Sequence, residues 1–74
     1  MKITFDPSVD AAYINLVKGD EAASFGFSYE CDSAKVHGQI ILNFDLKGRL
    51  IGIEVLQASR KLPASLLDSC TRQE

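Results

Sequence analysis

Residues Gln39–Leu56, QIILNFDLKGRLIGIEVL, place two apolar runs on either side of Lys47-Gly48, with apolar residues at every second position in both. Alternation with period two is the pattern of a half-buried strand, and a two-residue turn between two such runs predicts a β-hairpin. With Lys47 and Gly48 at the tip, Asp45 faces Leu50, Phe44 faces Ile51, Leu42 faces Ile53 and Ile40 faces Val55. Ile40, Leu42, Phe44, Ile51, Ile53 and Val55 then share one apolar face. A slip of one residue would turn that whole set to solvent, so the register is strongly specified.

Working outward, Lys2–Asp6 alternates as well, and Asp6-Pro7-Ser8-Val9-Asp10 is rich in turn formers. A strand resuming over 12–17 would set Asp6 opposite Ala11, Phe5 opposite Ala12 and Ile3 opposite Ile14. Met1, Ile3, Phe5, Ala12, Ile14 and Leu16 then share a face. Lys2, Thr4, Tyr13, Asn15 and Val17 share the other. A helix from Pro7 to Val17 competes with this reading. Tyr13, Ile14 and Val17 are strand formers and Gly19 cuts the segment short, so the strand is preferred.

Lys18-Gly19-Asp20-Glu21 reads as a further turn, followed by alternation through Ala23, Phe25, Phe27 and Tyr29. Pairing across that turn would bring Leu16 to Ala23, Ile14 to Phe25 and Ala12 to Phe27. Cys31–Lys35 reads as a polar loop, beyond which Phe27 faces Ile40, Phe25 faces Leu42 and Gly38 lies opposite Tyr29. Each step sends its apolar residues to the same side. The expected fold is α+β: a four- to five-stranded antiparallel β-meander over 1–57 and a short C-terminal α-helix within a tail over 59–71. Pro63 suits a first helical turn, and Leu62, Leu66, Leu67 and Cys70 fall at helical spacing.

The 74 residues predict one domain over 1–74 with a marginal core. Two cysteines far apart and one histidine indicate neither a disulfide framework nor a metal site, and no cofactor is expected. Free thiols point to the cytoplasm. Met1–Phe5 reads as a strand rather than a signal peptide, and no apolar run reaches membrane-spanning length. A net charge of −2 argues against nucleic-acid or anionic-membrane partners. A helix of two or three turns cannot cover five strands spaced about 4.8 Å apart. Tyr13, Ile41, Leu50 and Leu56, with Val17, would also be stranded on the second face. A homodimer, by face packing or edge pairing, resolves that surplus of apolar surface.

Two blocks, KITFDPSVDAAYINL and IILNFDLKGRLIGIEVLQAS, carry a resemblance to the domain of unknown function 2283 family. The matching positions are Asp6, Asp10, Tyr13, Ile14 and Leu16, then Asp45, Gly48, Gly52, Ile53, Glu54, Val55, Leu56, Ala58 and Ser59. Asn43 stands where the family usually has Asp, and the segment from Ala22 to Gly38 is longer and more aromatic than usual. The resemblance implies a small intracellular β-rich protein with no catalytic residues to transfer. Some members are encoded beside small toxin-like proteins, which implies an antitoxin-like or regulatory binding role.

Candidate chemistry is sparse. Asp6 and Asp10, around Pro7, fit turn closure better than a cation or acid/base pair, and Asp45 and Gly48 belong to the hairpin tip. Glu54, Gly52, Asn43 and Tyr13, with Ile41 across from Glu54, gather a carboxylate, an amide and a phenol around a bare glycine. That group is a candidate binding site or interface, together with Leu50 and Leu56 on the same face. Its plainer reading is a solvated face on which Gly52 eases sheet twist. His37 lacks an evident nucleophile, with only Ser28 or Glu30 in reach on a neighbouring strand. Cys31 has only Lys35 to activate it, and Arg60-Lys61 reads as a solvated turn. The expected function is a non-enzymatic protein–protein interaction or regulatory module. The alternative is a small-molecule-binding or hydrolytic protein using the Glu54, Asn43 and Tyr13 face.

Overall fold

The computed structural model describes residues 2–18 and 24–72. Its strands are β1 (Lys2–Asp6), β2 (Ala11–Asn15), β3 (Phe25–Glu30), β4 (Ile40–Asp45), β5 (Leu50–Leu56) and β6 (Thr71–Arg72). Its helices are α1 (Ser33–Val36), α2 (Ala58–Lys61) and α3 (Ala64–Ser69). The strands form one sheet in the order β3-β4-β5-β2-β1-β6. Five are antiparallel to their neighbours, and the short β6 runs parallel to β1. The fold is α+β, as expected, but the tail holds two short helices and a strand where one helix over 63–70 was expected.

The first hairpin keeps its expected register, with Ile3 opposite Ile14, Phe5 opposite Ala12 and Asp6 opposite Ala11. In the second, Ile40 meets Val55, Leu42 meets Ile53 and Asn43 meets Gly52, also as expected, whereas the tip differs. The loop has three residues, not two. Asp45 N–H donates to the Arg49 carbonyl at 2.8 Å, and Gly48 N–H donates to the Asp45 carbonyl at 3.0 Å. Gly48 has φ 81°, the left-handed conformation that closes a three-residue loop. The added loop residue moves Leu50 opposite Phe44, and a one-residue shift at Ile51 restores the register at Gly52. Leu50, expected on the second face, therefore partners Phe44.

The strand order is the larger correction. β2 pairs with β5, not with β3: Ala12 meets Val55, Tyr13 meets Glu54, Ile14 meets Ile53 and Asn15 meets Gly52. This makes the seven-residue β5 an interior strand, whereas a strict meander would leave it at an edge with its backbone groups open. The described residues just after β2 and just before β3 both meet the second hairpin near its tip, where Leu16 N–H donates to the Ile51 carbonyl and Leu46 N–H to that of Ser24. The turn expected at Lys18-Gly19-Asp20-Glu21 lies, apart from Lys18, outside the described residues, as do Met1 and Ala23. β3 also slides along β4: Phe27 meets Phe44 and Tyr29 meets Leu42, rather than Ile40 and Gly38. α1 takes up part of the expected polar loop, with the Asp32 carboxylate accepting from Ala34 N–H, and so moves the start of the pairing.

The apolar face carries the row Tyr29, Leu42, Ile53, Ile14 and Ile3, and beside it the row Ile40, Val55, Ala12 and Phe5. α2 and α3 pack over the second row. Phe5, Ala12, Val55, Ala58 and Leu67 form the buried core, with Ile40, Ile53, Leu62 and Cys70 packed against it. Ala58 is wholly buried. Towards β3 the face opens, and the rings of Phe27 and Phe44 stack there with centroids 4.8 Å apart.

Candidate functional site

The second face of the sheet collects most of the candidate residues. Cross-strand pairing places Glu30, Ile41, Glu54, Tyr13 and Thr4 in one row, and Ser28, Asn43, Gly52, Asn15 and Lys2 in the next. Leu56 follows on the same face opposite Ala11. Tyr13, Ile41, Asn43, Gly52, Glu54 and Leu56 are thus neighbours, while Leu50 is carried away by the shift at the hairpin tip.

Two amide side chains on this face accept hydrogen bonds. Ser28 Oγ donates to Asn43 Oδ1 at 2.6 Å, and Asn15 Oδ1 accepts from Val17 N–H at 2.9 Å. A β-carbon built on Gly52 would overlap the Tyr13 hydroxyl and lie 3.1 Å from Tyr13 Cε1. The ring therefore covers the backbone that the glycine bares. Glu54, half-buried, lies between Ile41 and Tyr13. The arrangement is a ladder of side chains, not a cleft.

The acidic residues around the turns bond to groups of the fold itself. Asp6 Oδ1 accepts from Ser8 N–H at 3.0 Å and from Ser8 Oγ at 2.6 Å. Asp10 does something no local pattern suggests. It sits at φ 52°, and its carbonyl accepts from Ala58 N–H at 2.9 Å. Its carboxylate accepts from Ser59 N–H at 3.0 Å and Ser59 Oγ at 2.7 Å. The first two amides of α2 thus both find acceptors on Asp10, far back in the chain, where Gln57 supplies no capping side chain. A helix beginning without a capping residue of its own was the available signal.

Asp45 is only 5 % exposed. Its Oδ1 accepts from the N–H groups of Lys47 at 2.9 Å and Arg49 at 2.8 Å, and Oδ2 accepts from Arg49 Nε at 2.8 Å. The Arg49 N–H foremost, aided by the Arg49 side chain and the Lys47 N–H, holds this carboxyl below its ordinary value against the opposing effect of burial. The carboxylate organises the loop.

His37 is exposed and ends α1 in the left-handed conformation at φ 54°. The Lys61 ammonium donates to the carbonyls of Val36 and His37, so this lysine ties α2 to the end of α1. Cys31 and Cys70 are free, half-buried thiols. A cavity of about 440 Å³ lies at the hairpin tip, lined by Leu16, Val17, Lys18, Ser24, Leu46 and Leu50 among others, with none of Tyr13, Asn43 or Glu54 in its wall. Among the described residues, no helix is long and apolar enough to cross a membrane.

Sequence reasoning placed the rings of β3 inside a packed face. In the structure they stand at the edge, with Phe25 58 %, Phe27 52 % and Tyr29 58 % exposed. The displacement of β3 from β2 is the cause, since a strand with one neighbour has half the cover.

The two sequence blocks around Asp10 and Ser59, and around Tyr13 and Gly52, meet in space, so their distinctive residues hold the sheet and α2 together. A family model described as Protein of unknown function (DUF2283) matches residues 2–59, most of the chain. No curated protein and no solved structure matches the chain.

Proposed function

The chain belongs to the DUF2283 family of proteins of unknown function, and on that footing we propose that it is a non-enzymatic protein–protein interaction module that works as a homodimer in the cytoplasm. One observation carries the reading: α2 and α3 cover the Phe5–Val55 part of the apolar face, and the aromatic part around Phe27 and Tyr29 is left half-exposed. Contiguous exposed apolar surface on a small domain marks a contact surface. A partner-neutralising role of the antitoxin-like kind is the regulatory form this reading takes.

The test is sedimentation velocity of the intact protein from about 1 to 100 μM, the range in which interfaces at the low end of the specific size class associate. A dimer weakened by Phe27→Ser and Tyr29→Ser supports the module. A monomer throughout, with no change on substitution, removes the homodimer from the proposal.

A further inference from the structure

Among the described residues no strand pairs with the outer edge of β3, which ends the sheet. Natural edges are blunted by charge, proline, shortness, a bulge or a covering element. β3 (Phe-Gly-Phe-Ser-Tyr-Glu) has a register irregularity at Gly26 and one charge at Glu30, but Phe27, Ser28 and Tyr29 between them are regularly paired to β4, exposed, and free of charge and proline.

Its backbone polarity can be read from the inner side. Cys31 N–H donates to the Ile40 carbonyl at 2.8 Å, so Cys31 and Ile40 are a hydrogen-bonded pair of the β3–β4 ladder. Such pairs alternate in an antiparallel ladder. Tyr29 therefore also turns its backbone inward, and Ser28 and Glu30 turn theirs outward.

From this edge we infer that two copies of the chain join by antiparallel pairing of β3 with β3 about a two-fold axis at Ser28, continuing the sheet from one copy into the next. Ser28 then exchanges both backbone hydrogen bonds with Ser28 of the second copy. Phe27 lies across from Tyr29 of the second copy on the apolar side, twice by symmetry. Glu30, the only charged residue of the strand, lies two residues from the axis in each copy and so at opposite ends of the pairing, which keeps the two carboxylates apart. Self-pairing is thus matched in face, hydrogen bonding and charge at once. This inference rests on the homodimer reading above and specifies its geometry. Four half-exposed rings, Phe27 and Tyr29 of each copy, bury on the order of 400 Å², which makes the contact a weak, transient one by size.

Cysteine cross-linking tests it. Residues in a hydrogen-bonded antiparallel pair have Cα atoms about 5.5 Å apart, a separation a disulfide spans. In a Cys31→Ser parent, Ser28→Cys should form covalent dimer under mild oxidation, well above the parent, which reports any background from Cys70. Ser65→Cys, exposed on α3, should stay at background. A second variant, Ser28→Pro, removes the outward N–H while leaving the inner ladder its donors, and should weaken dimerisation roughly tenfold or more, the loss expected of about 1.4 kcal/mol. A protein that sediments as a dimer but gives no Ser28→Cys cross-link above background overturns the edge pairing and leaves the interaction module standing. A wild-type monomer at about 100 μM overturns the homodimer and this geometry together.

Discussion

The ring of Tyr13 lies over Gly52, filling the space a β-carbon would need, so the residue on β2 covers the bare backbone of its neighbour β5. Gly52→Ala should force the ring aside and cost about 1–2 kcal/mol, the range for overpacking. In a Tyr13→Ala background the same change should stabilise by about 0.5–1 kcal/mol, since alanine replaces a strand glycine without a clash. Urea denaturation of the four variants measures the coupling. Equal effects in both backgrounds would mean that Tyr13 does not set the requirement for glycine.

The Asp10–Ser59 contact joins residues 49 apart in the chain. Ser59→Ala should destabilise by about 1 kcal/mol, the usual net worth of such a bond. Asp10→Gly keeps the left-handed backbone comfortable and isolates the loss of the carboxylate. Asp10→Ala adds strain at φ 52° and should be worse than Asp10→Gly by about 1 kcal/mol. An Asp10→Ala variant as stable as Asp10→Gly would contradict the strained conformation.

Particular residues show where a lone sequence speaks and where it stops. The pairing of Ile3 with Ile14, and of Ile40 with Val55, was legible because alternation and a nearby turn settle it locally. The partner of β2 was not. Ala12 and Ile14 offer the same face with the same parity to β3 or to β5, so alternation cannot choose between them, and the turn formers after Lys18 favoured the local option. The cue was Gly52, which needs a covering side chain, and Tyr13 was the ring able to supply it. The neighbours Tyr13, Asn43 and Glu54 followed from parity alone. Leu50 was misplaced because the Asp45 carboxylate supports a longer loop than a two-residue turn, and a single residue reverses a side chain's face.

Asp45 predicts a pH dependence. Its carboxyl titrates below the ordinary value of 3.8 in the folded protein, so on acidification the unfolded chain takes up its proton first. The contribution of Asp45 is therefore complete above its unfolded-state value and is lost as pH falls through the lower folded one. Urea midpoints at neutral pH should be higher for wild type than for Asp45→Asn, with the gap closing once both states are protonated. A gap that stays constant from neutral pH into strong acid would mean that the charge at Asp45 does not support the loop.

Gly26 distinguishes a local from a global failure. A β-carbon there would come 2.6 Å from the Asp45 carbonyl carbon and 3.0 Å from Leu46 N, and neither is a flexible side-chain end that can swing away. The two strands must therefore separate at this point. Within one chain β3 has a neighbour on one side only, so in the monomer, studied below the concentration at which copies pair, the easier relief is for β3 to peel from β4 while the β4-β5-β2-β1 body stays paired. Gly26→Ala should consequently raise amide exchange at Tyr29 and Cys31, whose N–H groups face β4. Exchange at Ala58, bonded to the Asp10 carbonyl, should stay near its wild-type rate. Local opening of this kind lies well below the free energy of global unfolding, so thermal unfolding of the body should shift less than exchange in β3. A uniform rise at Tyr29, Cys31 and Ala58 would show that β3 unfolds with the whole sheet, and that its edge is not a separable unit.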